Sequence, residues 1–283
     1  MKPCYLITLL LLATASADHH GLTSALTFHA SFDKGTTADF AKGDADLLTW
    51  TDRKKNTTAP GLPADGKTTV AKGAGKFGDA LKFTASDAAW VFYPAAGNVP
   101  YSDKKFSGTV SLWLQCDPVD GLAPGYCDPV QITTRAWNDA SFFIDFNKEG
   151  KPRDFRLGAF ADLTVWNPTK ADVPEEKRPL VTAKTKPAFA ADRWTHVVFT
   201  WENFNTGEKS ATAKLYIDGK HEGTITGWDQ RFSWKPEETS RLLLGLNYIG
   251  LLDEVSCFDR ALTQPEITKL HALKSGLTPL LPE

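Results

Sequence analysis

The stretch Gly250-Leu251-Leu252-Asp253-Glu254-Val255-Ser256-Cys257-Phe258-Asp259-Arg260-Ala261-Leu262 constrains this chain more than any other. It reads as a buried closing strand, then a turn, then a short helix over about Thr263 to Lys274. Thr263 is a good N-cap and Glu266, three residues on, completes a capping box. Pro265 falls in the first turn, where a missing N–H does no harm. Upstream, the chain is a series of short alternating or apolar runs separated by turn residues. They are 25–32 (an edge or first strand), 79–83, 89–93, 108–115, 130–133, 141–146, 155–160, 194–201, 213–218, 241–246 and 248–258, with weaker signals at 47–50 and 68–71. Asp218-Gly219 is a tight-turn dipeptide that closes one of them. Residues 167–190, rich in Pro, Lys and Glu, read as one long surface loop. With one convincing helix and no βαβ rhythm, the expectation is an all-β, two-sheet antiparallel sandwich with a short C-terminal helix.

The front of the chain points to a compartment. Lys2 supplies a positive charge, 5–12 is an apolar run, and Ala15-Ser16-Ala17 offers a small-x-small cleavage site. That predicts a secretory signal peptide over residues 1–17, too short in its apolar region to span a bilayer. Residues 18–283 are then expected to form a single domain with its core over about 22–275, and secretion would place it outside the cell, in a periplasm or at a cell surface. A net charge of −2 leaves no basic stripe for nucleic acid. Nine Trp and seventeen Phe against one Met predict a core of rigid rings.

Several motifs together resemble one family. Phe32-Asp33 is similar to the opening F-D of laminin-G-like, concanavalin A-like jelly-roll domains. Gly78-Asp79-Ala80-Leu81-Lys82-Phe83 resembles their G-x-A-L-x-F strand, and Phe106 to Trp113 their F-T-[IV]-S-x-W strand. The pair Trp194-Thr195-His196-Val197-Val198-Phe199-Thr200 and Lys214-Leu215-Tyr216-Ile217-Asp218-Gly219 resembles the W-x-H-V-x-x-T and L-Y-[IV]-D-G hairpin. Residues 250–262 resemble the terminal G-x-[IL]-D-E-[VL]-x-[IVF]-[FY]-[ND]-R-A-L strand. The motifs run in order over about 25–275. The resemblance implies the jelly-roll form of the sandwich, a fold that carries lectins, adhesion modules, glycosidases and lyases alike. Segments near 116–140 and 165–190 exceed a minimal module, and loops of that size on a rigid sandwich are where specificity sits.

The chemistry that is missing narrows the function. No E-x-D-x-x-E sets an acid and a nucleophile on one strand face. There is no H-E-x-x-H, no G-x-S-x-G, no phosphate loop, and no Arg-x-Glu with a Gln-x-His partner; Gln131-Ile132 is followed by Thr133. The expectation is a secreted, non-catalytic module that recognises an extracellular carbohydrate or protein. The alternatives are a hydrolase or lyase whose carboxylates come from loops, such as Asp139 with Asp145 or Asp162, and a structural cell-envelope protein.

Candidate site residues follow. Arg135-Ala136-Trp137-Asn138-Asp139 packs a stacking ring, a guanidinium, an amide and a carboxylate into one predicted loop, the set that reads sugar hydroxyls. Trp166 and Trp228 are second-rank candidates. Equally, Arg135 can simply pair with Asp139, and Trp is usually partly buried. The resemblance implies that the first and last strands adjoin, so Asp33 and Asp253 can supply hard oxygen ligands to structural Ca2+; the other reading is turn capping and hydrogen bonds to loop backbone. Cys116 and Cys127 can close a short disulfide loop or remain two packed thiols, and Cys257 reads as buried and unpaired. Cleavage after Ala17 would expose Asp18-His19-His20, whose amine, amides and imidazole form a square-planar Cu(II) or Ni(II) set.

Overall fold

The structure, a computed structural model, describes residues 21–184 and 189–281. The expected leader 1–17 and the Asp18-His19-His20 terminus lie outside the described residues. The first half of the chain forms β1 (Leu26–Ala30), β2 (Phe40–Ala41), β3 (Leu48–Asp52), β4 (Thr57–Pro60), β5 (Thr68–Ala71), β6 (Ala80–Phe83), β7 (Val91–Pro94) and β8 (Phe106–Gln115). The second half forms β9 (Cys127–Thr133), β10 (Ser141–Gly150), β11 (Arg153–Phe160), β12 (Leu180–Thr182), β13 (Thr195–Phe204), β14 (Thr212–Ile217), β15 (Lys220–Ile225), β16 (Arg241–Leu246) and β17 (Gly250–Phe258).

These strands make two antiparallel sheets. One runs β15-β14-β13-β8-β17-β1-β2, with β6 and β5 attached beside β17; the other runs β12-β11-β10-β9-β16-β7-β3-β4. Alternate side chains of the two inner faces fill the space between them, as the period of a strand requires. Phe142 lies at the centre, with its ring 4.8 Å from Trp201, 4.9 Å from Phe232 and 5.2 Å from Phe204.

The closing strand β17 occupies the middle of its sheet, between β8 on one side and β6 and β1 on the other. Residues 250–252 pair with β6, whereas 255–258 pair with β1. The ladder to β8 shifts register at this change of partner, and Glu254 takes φ of 54° there. The helix that follows, Gln264–His271, has the expected cap: Glu266 accepts the Thr263 N–H at 2.8 Å, and Pro265 sits in the first turn. Its Ile267 and Leu270 pack with Leu22, Leu26, Val198 and Tyr216 on the outer side of the nine-stranded sheet.

Three expectations change. The run at 25–32 is the first strand but lies inside the sheet, fully buried, with only the two-residue β2 beyond it. The segment 167–190 is not all loop: β12 within it extends the eight-stranded sheet at its edge. A three-residue strand among prolines and charges is too short to show a period. Third, Cys116, Cys127 and Cys257 are free, buried thiols, so the expected Cys116–Cys127 disulfide is absent. The Cys127 S–H donates to the Ala123 carbonyl at 3.4 Å, and Cys116 is part of the main core. Burial pushes the Cys116 thiol up to about 12 and the Cys127 thiol up to about 11, the range of inert packed cysteines.

Candidate functional site

The outer face of the eight-stranded sheet is not a plain solvent face. Register places residues across it in rows, because facing residues on paired strands point the same way. One row runs Gly158, Phe143, Gln131, Leu243, Phe92. Asp145 faces Arg156, and Asp128 faces Leu246, in a second row. Thr133 faces Arg241 in a third. Gly158 is required in the first row: a Cβ there would lie 2.2 Å from the Phe143 ring, so only glycine lets that ring lie down on the sheet.

Aromatic residues rise on both sides of these rows. Trp137 and Tyr126 stand at one flank and Trp50 and Trp90 at the other, enclosing a groove of about 490 Å³. Trp137 is 44% exposed and Tyr126 40%; with Val119 they are the exposed large hydrophobic residues among those described. An apolar floor crossed by a few fixed polar groups and flanked by aromatic rings is the makeup of a ligand site.

The polar groups differ in state. Arg156 donates Nε to Asp145 Oδ1 at 2.9 Å and Nη2 to Asp145 Oδ2 at 2.5 Å, and its Nη1 lies 2.7 Å from Glu175. This bidentate pair is buried. Burial raises the Asp145 pKa, opposed by the hydrogen bonds and charge of Arg156. Burial also pushes Asp128 well above the usual carboxylate range, and the charge of Asp145 adds to that while Arg156 opposes it. At the Trp50 flank, the Arg241 guanidinium lies 4.4 Å from the Trp50 ring centre and 5.0 Å from that of Phe92. It donates to Thr239 O at 2.5 Å and to Asn56 Oδ1 at 2.6 Å.

The structure divides the residues singled out from sequence. Arg135 and Trp137 line the groove. Arg135 is a brace: its Nη2 donates to Asp162 Oδ1 at 2.6 Å and Ser233 Oγ at 3.1 Å, and its Nη1 lies 3.3 Å from Asp139. Asn138 and Asp139 do not line it. The Asn138 carbonyl accepts the Trp166 indole N–H at 2.8 Å, and Asp139 accepts the Leu163 N–H at 2.8 Å, so both tie the loop to the single-turn helix Leu163–Trp166. Trp166 supports the loop from behind, edge-on to Phe160 at 5.0 Å. Trp228 packs against the main core, away from the groove lining. Of the loop-borne acids, Asp139 and Asp162 meet at the Arg135 guanidinium, whereas Asp145 is held by Arg156 on a strand. Trp50, Trp90, Asp128, Gln131, Arg156 and Arg241 were not singled out from sequence. Their signal was only a polar or aromatic residue at outward strand positions.

Asp33 and Asp253 do meet at the point where β17 changes partner. Both face the glycine loop before β6. Asp253, fully buried, accepts the Phe77 N–H at 3.0 Å and the Glu254 N–H at 2.7 Å; Asp33 accepts the Asp79 N–H at 2.7 Å. Gly78, with φ of 79°, comes so close that a Cβ would lie 2.1 Å from the Asp33 carboxylate, and a Cβ on Gly75 would lie 2.2 Å from the Asp79 carbonyl and 2.9 Å from Asp253 Oδ2. Burial, reinforced by Asp33, raises Asp253 to about 7 against its backbone hydrogen bonds. The donors converging here are all oxygens, which fits a hard cation in kind. Among the described residues no cluster of three or more His, Cys, Asp or Glu side chains could hold a metal, so carbonyls and water would have to complete such a shell.

A family model described as the concanavalin A-like lectin/glucanases superfamily matches residues 88–268. The chain belongs to that superfamily. No curated protein sequence matches it. Solved structures similar in fold include domain 4 of AbnA, a GH43 extracellular arabinanase from Geobacillus stearothermophilus, in complex with arabinotriose. It is 18% identical with a TM-score of 0.52, over 86% of this chain and 97% of that one. The binding domain of Paraclostridial Mosquitocidal Protein 1 is 14% identical with a TM-score of 0.56, over 88% of this chain and 52% of that one. This chain thus spans nearly all of the first and about half of the second. Likeness at this level is a likeness of fold, and no helix among the described residues is long and apolar enough to cross a membrane.

Proposed function

We propose that the protein is a secreted, non-catalytic recognition module that holds an extended carbohydrate in the groove on its eight-stranded sheet. One observation supports this reading: aromatic rings stand on both flanks of a trough whose floor bears fixed polar groups, exposed at Trp137 and Tyr126 and half-buried at Trp50 and Trp90. Sugar rings present apolar faces to such aromatics and hydroxyls to groups such as Gln131 and Thr133. The similar arabinanase domain was solved with arabinotriose, which supports the choice of a carbohydrate over a protein ligand. A glycan array run beside a reducing-sugar assay tests the reading: ligand without turnover supports it, and turnover overturns the non-catalytic part. Trp137→Ala and Trp50→Ala should each weaken binding about thirtyfold, the loss of about 2 kcal/mol expected of a central aromatic contact. Unchanged binding in both variants would place the site elsewhere.

We also propose a structural Ca2+ at Asp33 and Asp253, supported by the convergence of oxygen donors around the loop at 75–79. When bound, the ion would supply charge compensation to the buried carboxylate of Asp253 and the exposed one of Asp33. A metal that binds only the folded protein raises its melting temperature by linkage. EDTA should therefore lower Tm, and Asp253→Asn should remove the difference between chelated and calcium-loaded protein. No calcium by metal analysis, with Tm unchanged on chelation, overturns the proposal.

A further inference from the structure

Four arginines line the groove, and three of them face carboxylates. Arg135 has Asp139 and Asp162, Arg156 has Asp145 and Glu175, and Arg178 has Asp172 at 3.8 Å. Arg241 has none. Its two hydrogen bonds go to neutral acceptors, Thr239 O and Asn56 Oδ1, and its Nε is buried without an acceptor. A guanidinium carries five N–H donors, so most of its capacity is unspent. The Trp50 indole N–H beside it is likewise buried without a partner. Burial is what depresses the Arg241 pKa, with no acidic group opposing it. A buried cation with neither counter-charge nor full hydrogen bonding is costly, and an anion is what relieves it.

Arg53 lies 4.0 Å from the Trp90 ring but faces a neighbouring hollow that Asp52 and Asp87 also line, so Arg241 is the cation of this flank that faces the groove. The carboxyls at the other end are remote: Arg241 and Leu246, the residue facing Asp128, are five positions apart on β16, or about 16 Å at strand rise. Asp139 and Asp162, beyond Thr133, are already taken up by Arg135, so the Arg241 charge is the one in the groove that no carboxylate answers.

We infer that Arg241, set between Trp50 and Phe92, forms an oxyanion subsite, so that the carbohydrate held in the groove is an acidic one bearing carboxylate or sulfate groups. This rests on the groove being the carbohydrate site. Planar guanidinium donors suit both oxyanions.

The test is affinity electrophoresis of the full chain through gels containing polygalacturonate (carboxylates), carrageenan (sulfates) or uncharged galactan. Wild type should bind at least one acidic polymer tenfold or more tightly than galactan, and which one identifies the oxyanion. Non-specific attraction is disfavoured because the protein is itself net negative. Arg241→Met keeps the stem packed on Trp50 and removes the charge. It should lose the acidic preference tenfold or more and move Tm by no more than about 3 °C. An Arg241→Met protein that keeps the wild-type preference overturns the subsite. So does a wild type that binds galactan best, in which case the groove reading stands. If Trp137→Ala and Trp50→Ala bind as wild type, the groove reading itself fails. Binding to none of the three polymers also overturns the subsite, and the glycan array then decides the groove separately.

Discussion

Arg156→Ala is expected to destabilise the protein by about 3–5 kcal/mol at neutral pH, because it leaves the buried Asp145 without its partner. For a chain of this size that is a fall in Tm on the order of 10 °C. Glu175, at 40% exposed, contributes little to the effect. The double variant Asp145→Asn/Arg156→Met, which removes both charges, should recover much of the loss. The pH dependence has a definite sign. A carboxyl whose folded pKa is raised contributes stability below its unfolded value near 4, and that contribution disappears as pH climbs through the folded value. Asp145 is raised already, and without Arg156 it rises further. Arg156→Ala should therefore regain Tm as pH falls from 8 towards 5. Asp128, also raised, makes wild type drift the same way, and Asp128→Asn should flatten that drift. Differential scanning fluorimetry across this range reads both; an Arg156→Ala protein as stable as wild type at pH 8 would mean that the pair is not buried in solution.

A loss of similar size is expected for Phe142→Ala, and it separates core rings from groove rings. Phe142 is fully buried among Phe199, Trp201, Phe204, Phe232 and Trp234. Cutting such a ring to Ala costs about 3–5 kcal/mol, part of it the cavity left behind. Trp137 touches Phe143 and Phe160 only by its edges, at 6.1 and 5.4 Å, and about 1 kcal/mol is what such contacts contribute. Chemical denaturation should give a large drop in midpoint for Phe142→Ala with the denaturant slope unchanged, and a small one for Trp137→Ala. Equal losses in the two variants would put Trp137 in the core and remove it from the groove.

The fold was legible because its signals are local. Thr263, Pro265 and Glu266 write a helix start within four residues, and alternation along 141–146 or 213–218 writes a strand within six. The groove was not, because it exists only across strands. Asp128, Asp145 and Arg156 are isolated polar residues in three segments, and nothing in any one of them says that they will share a row. Trp137 could be picked out because a ring in a predicted loop is unusual. Trp50 sat in a weak strand signal, and Arg241 opened a strand that otherwise reads as apolar. The Asp33–Asp253 meeting was inferable from the pairing of first and last strands, but the glycine loop that wraps them comes from a third place in the sequence. The free thiols show the same limit: a spacing of eleven positions from Cys116 to Cys127 permits a bridge, but the packing of each thiol decides.

The apolar cluster around the C-terminal helix and the groove lie on opposite faces of the sandwich. Leu22 and Leu26 near the start of the described chain, and Leu270 and Leu277 near its end, all pack on the outer side of the nine-stranded sheet, behind the groove. Attachment at the first or last described residues therefore leaves the groove facing outward, so the proposed binding face stays free when the protein is immobilised there.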